Sequence, residues 1–151
     1  MTGAHAMRHK KLRALYPAMA LLVSLGTAAC TSGPAVQSPV PLSTPDPLYR
    51  AYFEQVRERI NAKWVYPRSV GERGIEGEAL IEFHIAKDGH LDFCELRRSS
   101  GTALLDQAAL TAVKLAQPFP PVPDRVATGS LAINGMFRYQ IVKGVVDHTL
   151  H

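Results

Sequence analysis

Cysteine is scarce in this sequence, whose 151 residues include only Cys30 and Cys94. With a single cysteine besides Cys30, the disulfide framework that stabilises many small exported domains is not available. Cys94 follows Phe93 in a strand-like segment and is interpreted as a small buried hydrophobe. His84 and His90 have no pattern of cysteines or carboxylates beside them that would complete a zinc site, so we interpret both as surface residues. We expect no metal site and no cofactor.

Motifs for catalysis are also missing. Ser99 and Ser100 lack the Gly-x-Ser-x-Gly context of a nucleophile elbow. With Gly101 they are interpreted as a turn between a strand and a helix. The glutamates between residues 72 and 82 lack the ligand spacing of a calcium loop, and a solvated face accounts for them. We predict that the protein is not an enzyme.

A cationic surface for nucleic acid is lacking too. The formal net charge is +4, but four of the 17 lysines and arginines precede residue 14. The remainder therefore carries 13 basic against 13 acidic side chains. A neutral domain lacks the clustered positive charge that phosphate binding requires, so no nucleic-acid partner is predicted.

The apolar run of residues 14 to 29 is short for a membrane span, which needs about 20 apolar residues. Because it follows four positive charges and ends in small residues, residues 1 to 29 are predicted to be a signal peptide. The segment before Cys30 resembles a bacterial lipoprotein signal, which implies acylation of that cysteine. Cleavage after Ala29 without acylation and retention as a membrane anchor are open alternatives.

Residues 30 to 47 are rich in proline and serine, a composition typical of an extended tether. Residues 31 to 47 would reach no more than roughly 50 Å in the polyproline conformation. The sequence predicts a folded domain over residues 48 to 142, followed by a flexible tail over residues 143 to 151.

Five elements are predicted within the domain. Asp46 and Pro47 are predicted to cap a helix whose apolar residues recur every four positions up to Trp64. Two strands flank an Asp88-Gly89 turn, a second helix spans about 103 to 117, and a last strand spans about 130 to 142. This order predicts an α+β fold, with two helices packed on one face of a three-stranded antiparallel sheet.

These elements contain an ordered set of motif residues, which we interpret as structural: Tyr66, Pro67, Asp88, Gly89, Ser99, Ser100, Gly101, Leu105, Asp106, Phe119 and Pro120. The set resembles the C-terminal domain of the TonB family of periplasmic proteins. The first helix is also similar to the TolA C-terminal domain. The resemblance covers about residues 48 to 139 and implies the same α+β fold.

The resemblance implies that a partner segment pairs with the last strand as an added strand. In the family, that partner is the N-terminal segment of an outer-membrane transporter, and another envelope protein is an alternative. The candidate residues of this edge are Leu131, Ile133, Phe137, Arg138 and Tyr139. Two alternatives stay open: these side chains face the helices while the C-terminal tail caps the edge, or a second copy pairs there as a homodimer.

The sequence thus predicts a periplasmic protein-interaction module, held to a membrane by a lipid on Cys30. Thr31 follows this cysteine, and in lipoproteins a residue other than aspartate there implies passage to the outer membrane. An inner-membrane energy transducer of the TonB type and a soluble periplasmic assembly factor are the alternatives.

Overall fold

The structure is a computed structural model that describes residues 38 to 142 and 144 to 151. The predicted signal peptide, Cys30 and the first part of the predicted tether lie outside the described residues. The elements in chain order are β1 (Val40–Pro41), α1 (Pro47–Asn61), α2 (Arg68–Gly71), β2 (Gly77–Ile85), β3 (Leu91–Arg98), α3 (Ala103–Leu115), β4 (Leu131–Val142) and β5 (Val145–Leu150).

Helix α1 begins as its sequence predicts. The Asp46 carboxylate accepts a hydrogen bond from the Leu48 N–H at 2.9 Å, and Pro47 occupies the first turn. Tyr52, Val56 and Ile60 are buried at four-residue spacing. Leu48 is an exception to the predicted apolar stripe, because it is exposed at the start of the helix.

The strands form one sheet in the order β1, β4, β2, β3, and β5 pairs with β4. Strands β2 and β3 are an antiparallel hairpin, and β2 pairs antiparallel with β4 from Gly77 opposite Tyr139 to Ile85 opposite Leu131. Alternate side chains of β2 are buried, beginning at Ala79 and ending at Ile85. The predicted sheet with one covered face is confirmed.

The predicted number of strands is wrong, because residues 38 to 142 and 144 to 151 form a sheet of five strands and not three. Strand β1 lies within the predicted tether, and β5 lies within the predicted flexible tail. Strand β1 spans two residues and gains its hydrogen bonds from β4, which is distant in sequence, so local patterning does not reveal it. Strand β5 follows β4 closely in the chain and pairs with it as an antiparallel hairpin, but its six residues have no regular apolar alternation that predicts a strand. A short helix, α2, is also present beside the two predicted helices.

One hydrophobic core joins the helices to the covered face of the sheet. Trp64, which follows α1, packs edge-on against Phe137 and Tyr139 of β4. Leu105 and Val113 of α3 are fully buried in the same core. In the part of the chain that the structure describes, no helix has the length and apolar character needed to cross a bilayer.

Candidate functional site

The outer side of β4, away from β2, was predicted to be an open edge, and this prediction is wrong. The antiparallel register with β2 directs the backbone groups of alternate β4 residues outward, including those of Asn134, Met136 and Arg138. Segments of the same chain pair with these groups from both ends of the domain. An exposed strand edge attracts other chains, so covering it also protects the domain from aggregation.

Strand β1 covers the first part of this edge and runs parallel to β4. Val40 lies opposite Ile133, and Pro41 lies opposite Asn134. The Leu42 N–H then donates to the Asn134 carbonyl at 2.8 Å. The Leu42 side chain is fully buried, so this strand contributes to the core as well as to the sheet.

Strand β5 covers the second part and runs antiparallel to β4. Its register extends from Val145 opposite Val142 to Leu150 opposite Phe137. His151 and Met136 then exchange two backbone hydrogen bonds, of 2.7 and 3.0 Å. Leu150 is buried, whereas Val145 is about two-thirds exposed, so the far end of the strand is the better anchored one. These covers confirm the alternative that the C-terminal segment caps the edge.

Four of the five candidate edge residues direct their side chains into the core and not toward the outer side of β4. Leu131, Ile133, Phe137 and Tyr139 are buried on the face that packs against the helices. Arg138 alone of the five is exposed, and its guanidinium pairs with the Glu78 carboxylate on the open face. A segment paired with the outer side of β4 would therefore form its ladder with the backbone of the alternate residues, such as Asn134 and Arg138, and not with these four.

Tyr139 links three elements through a buried pair of hydrogen bonds. Its hydroxyl accepts from the Trp64 indole N–H at 2.7 Å and donates to the Leu105 carbonyl at 2.8 Å. Burial raises the pKa of Tyr139 well above its usual range, because a charged phenolate would be poorly solvated there. The hydroxyl therefore stays protonated and available as a donor.

The unpaired margins of the described sheet are the outer sides of β1, β3 and β5. The Leu91 N–H at the start of β3 is satisfied by the Gln117 side chain at 3.3 Å. Beside β5, a groove of about 490 Å³ is lined by Tyr66, Pro67, Arg68, Gly71, Glu72, Gly144, Val145 and Val146.

The open face of the sheet carries charges that pair with one another. Arg97 bridges the carboxylates of Glu82 and Glu95 at 2.8 and 2.7 Å. The hydrogen bond from Arg97 is the main reason that the pKa of Glu82 lies below its ordinary value. Such pairing favours a solvated face over a site that awaits an ionic ligand.

The motif residues lie in turns, in loops and at the start of α3. Ser99 Oγ and the Ser100 N–H both donate to the Asp106 carboxylate, at 2.5 and 2.7 Å. Gly101, between them and α3, has a φ of +88°, which suits glycine. The turn is thereby fastened to the first turn of α3.

A second set of motif contacts fastens the β2–β3 turn to the connector after α3. The Phe119 N–H donates to the Gly89 carbonyl at 2.9 Å, and the Phe119 ring is buried. The Pro120 carbonyl accepts from the Tyr52 hydroxyl at 2.9 Å. Upstream of β2, the Tyr66 hydroxyl donates to the Ile75 carbonyl.

The histidines considered for a zinc site bond to different carboxylates, His84 to Glu82 and His90 to Asp88. Within residues 38 to 142 and 144 to 151, no group of three or more histidine, cysteine or acidic residues is arranged to hold a metal ion. Burial raises the pKa of the Cys94 thiol, which disfavours the reactive thiolate.

Leu42 and Leu150, the two buried anchors of the covering segments, were not predicted from the sequence. Leu42 follows Val40 by two positions and Leu150 follows Val146 by four, in stretches otherwise typical of a tether or a tail. Such short runs have no periodicity that distinguishes a strand from a loop, so the sequence carried no usable signal for either anchor.

Comparison with known proteins agrees with this fold. The family described as Gram-negative bacterial TonB protein C-terminal matches residues 62–141. Protein TonB of Helicobacter pylori strain J99 is 37% identical over 73 residues, which are 48% of this chain and 26% of that protein. Protein TonB of Vibrio cholerae is 41% identical over 61 residues, 40% of this chain and 25% of that protein. The chain thus spans about a quarter of the length of these relatives.

A solved structure is similar as well. The NMR solution structure of the Helicobacter pylori TonB C-terminal domain is 29% identical, with a TM-score of 0.54. The similarity covers 62% of this chain and 83% of that chain. Since the family match extends over more than half of the residues, this chain belongs to the family of Gram-negative bacterial TonB C-terminal domains.

Proposed function

We propose that this chain is a periplasmic protein-interaction module that binds an extended segment of an envelope protein by strand exchange on the outer side of β4. One observation carries the proposal: short segments cover that side, with two residue pairs from β1 and six from β5. An extended peptide can remake the backbone hydrogen bonds of any segment that it replaces. Membership of the TonB C-terminal family supports a role in binding over one in catalysis.

The proposed partner is the N-terminal segment of an outer-membrane transporter or of another envelope protein, as the family resemblance implies. Backbone pairing with β4 supplies affinity for any extended sequence. Specificity then comes from the exposed Arg138 and from the spaces that Leu42 and Leu150 fill. The buried side chains of Ile133, Phe137 and Tyr139 hold β4 in place by packing in the core.

A titration with transporter N-terminal peptides tests this function. Amide shifts of the full chain, followed by NMR, are expected for residues 131 to 139 and for the covering strand that leaves. The matched control is a peptide of the same composition in scrambled order. Unchanged amides in residues 131 to 139 at saturating peptide would contradict strand exchange. If the mass of the protein in solution doubles as its concentration rises in the absence of peptide, a second copy of the chain binds at this edge.

For the location, we propose a lipid anchor on Cys30, in the outer membrane because Thr31 follows it. The intact mass of the membrane-extracted protein tests this. A diacylglyceryl group on an N-terminal Cys30 is the expected result, and Cys30→Ala should release the protein from the membrane fraction. An unmodified N-terminus at residue 30 would instead support a soluble assembly factor.

A second candidate, an energy transducer of the inner membrane, is favoured by the matched relatives that bear the name Protein TonB. In that case residues 14 to 29 are retained as the anchor. The same mass measurement separates the two candidates, because the transducer keeps the residues that precede residue 14.

A further inference from the structure

Residues 40 to 42 are bound to β4 in the way that we propose for a partner, and this inference rests on that proposed function. The Leu42 N–H and the Asn134 carbonyl form a ladder bond of 2.8 Å between parallel strands. The Leu42 side chain has no exposed surface. The edge of β4 therefore includes a space that accepts a leucine-sized side chain from an extended segment.

The ladder position of Pro41 suits a replaceable segment. In parallel pairing, the residue opposite Asn134 directs its own N–H away from β4, so proline forfeits no bond to this strand. Pairing is confined to two residues, and the Thr44 N–H bonds back to the Pro41 carbonyl at 2.9 Å as the chain turns away. The segment therefore has one fully buried side chain, Leu42, and only a short stretch of backbone pairing.

The fit of this segment is incomplete at two polar atoms. In the part of the chain that the structure describes, two buried side-chain atoms without a hydrogen-bond partner are Arg57 Nε and Asn134 Oδ1. Both belong to residues that touch the segment, because Arg57 Nη2 donates to the Leu42 carbonyl at 3.2 Å and Asn134 lies opposite Pro41. Buried polar atoms are usually paired, so a better-matched occupant has bonds to gain here.

We propose that residues 40 to 42 are an intramolecular stand-in for the partner, which exchanges with a segment that runs in the same direction along β4. The partner places a leucine-sized apolar residue where Leu42 lies. At the position of Pro41 it carries a hydroxyl or amide side chain, which donates to Asn134 Oδ1. A partner of this kind binds more tightly than the stand-in and still competes with it, because the stand-in is held at high effective concentration by its link to α1.

The test uses the chain's own segment as the probe. A peptide of residues 38 to 44 is titrated into the full chain and into the full chain with Leu42→Asp, which unseats the stand-in. The amide signals of Ile133 and Asn134 report occupancy. We expect the variant to bind the peptide at least about tenfold more tightly than the unaltered chain, because intramolecular competition is removed. A peptide with Leu42→Asp should not bind, and one with Pro41→Thr should bind several-fold more tightly.

Two controls keep the result interpretable. The amides of Met136 and His151, which pair outside the exchanged region, must stay unshifted in the variant to show that it is folded. If Leu42→Asp does not fold, Leu42→Ala loosens the stand-in while leaving the site intact and should give a smaller gain in the same direction. Equal binding to the unaltered chain and to a folded variant, or no binding to either, overturns the stand-in.

The outcome is separable from that of the proposed function. If transporter peptides shift the β4 amides equally in both proteins while the chain's own peptide does not bind, strand exchange stands and the stand-in fails. If the chain's own peptide binds the variant but transporter peptides do not, the site stands and the proposed partner fails.

Discussion

Asp106 is the acidic side chain that the described part of the chain buries most completely, and its neighbours explain how. Burial by itself raises the pKa of this carboxyl, because water no longer solvates the charge. Hydrogen bonds from Ser99 and Ser100 outweigh burial, so that the pKa lies below its ordinary value. The ionised carboxylate is thus the form that the fold stabilises.

The first prediction concerns acid stability. Folding lowers the pKa of Asp106 below its unfolded value of about 3.9. The carboxylate therefore stabilises the fold at pH values above the unfolded pKa, and this stabilisation is lost as the pH falls through the folded pKa. Asp106→Asn should lower the free energy of unfolding by about 1 to 3 kcal/mol at neutral pH. In this variant, the free energy of unfolding should also fall less as the pH is lowered. Urea unfolding at several pH values measures both. Asp92→Asn, at an exposed position on β3, is the control, and an equal effect there would contradict the assignment.

The second prediction concerns the Tyr139 hydroxyl. Tyr139→Phe keeps the ring but leaves the Trp64 N–H without its acceptor and the Leu105 carbonyl without its donor. We expect the free energy of unfolding to fall by about 1 to 3 kcal/mol, the usual cost of buried groups left unpaired. Thermal unfolding measures this loss. The control is Tyr49→Phe. The Tyr49 ring stacks against Phe53 and is only partly buried, so this change should lower the free energy of unfolding far less.

At the scale of elements, the β2–β3 turn and the connector after α3 hold each other in place. Gly89 has a φ of +93° and lies against the connector, where an added Cβ would fall 2.1 Å from the Phe119 carbonyl oxygen. Gly101 has a similar φ of +88° but open space around it. The two glycines therefore separate the cost of the backbone conformation from the cost of a clash.

The third prediction uses this pair. Gly101→Ala should lower the free energy of unfolding by about 1 to 2 kcal/mol, since a side chain is strained in the left-handed region. Gly89→Ala should cost clearly more, because the turn must also move away from Phe119. Urea unfolding of both variants measures the difference. Equal losses would show that the turn and the connector are not in firm contact.

The elements predictable from sequence are those with local signals. Asp46 capping α1, the Asp88-Gly89 turn and the alternation of β2 all depend on residues close in the chain. Strand β1 pairs with a partner distant in sequence, and β5, although it follows β4 closely, has no regular apolar alternation, so neither segment carries a clear strand signal. The resemblance placed the candidate site on β4, and the structure shows that two strands that were not predicted cover this edge.

At the scale of the whole molecule, the two ends of the described chain close the same edge of the sheet. Segments from opposite ends of the sequence meet near Gly135 of β4, with β1 on one side and Leu150 on the other. The stability of the domain therefore includes both segments that flank its central elements. A domain cut at residues 48 and 142 would lose these contacts.

The fourth prediction measures the share of the C-terminal segment. Leu150→Ala should lower the free energy of unfolding by about 2 kcal/mol, because the leucine is buried against the core. Val145→Ala, at the exposed end of the same strand, should change it by less than about 0.5 kcal/mol. Chemical unfolding of the full chain distinguishes them. Similar small losses for both variants would indicate that residues 145 to 151 are a flexible tail.

The position of Trp64 has a practical consequence. It is the single tryptophan of the chain, and its indole lies 4.6 Å from the His148 ring of β5 and 4.9 Å from the Phe137 ring of β4. Departure of β5 would open one side of the indole to water and shift its emission to longer wavelength. Departure of β1 alone would leave the indole enclosed and its emission unchanged. The tryptophan fluorescence of the unlabelled protein thus distinguishes whether an added peptide displaces β1 or β5.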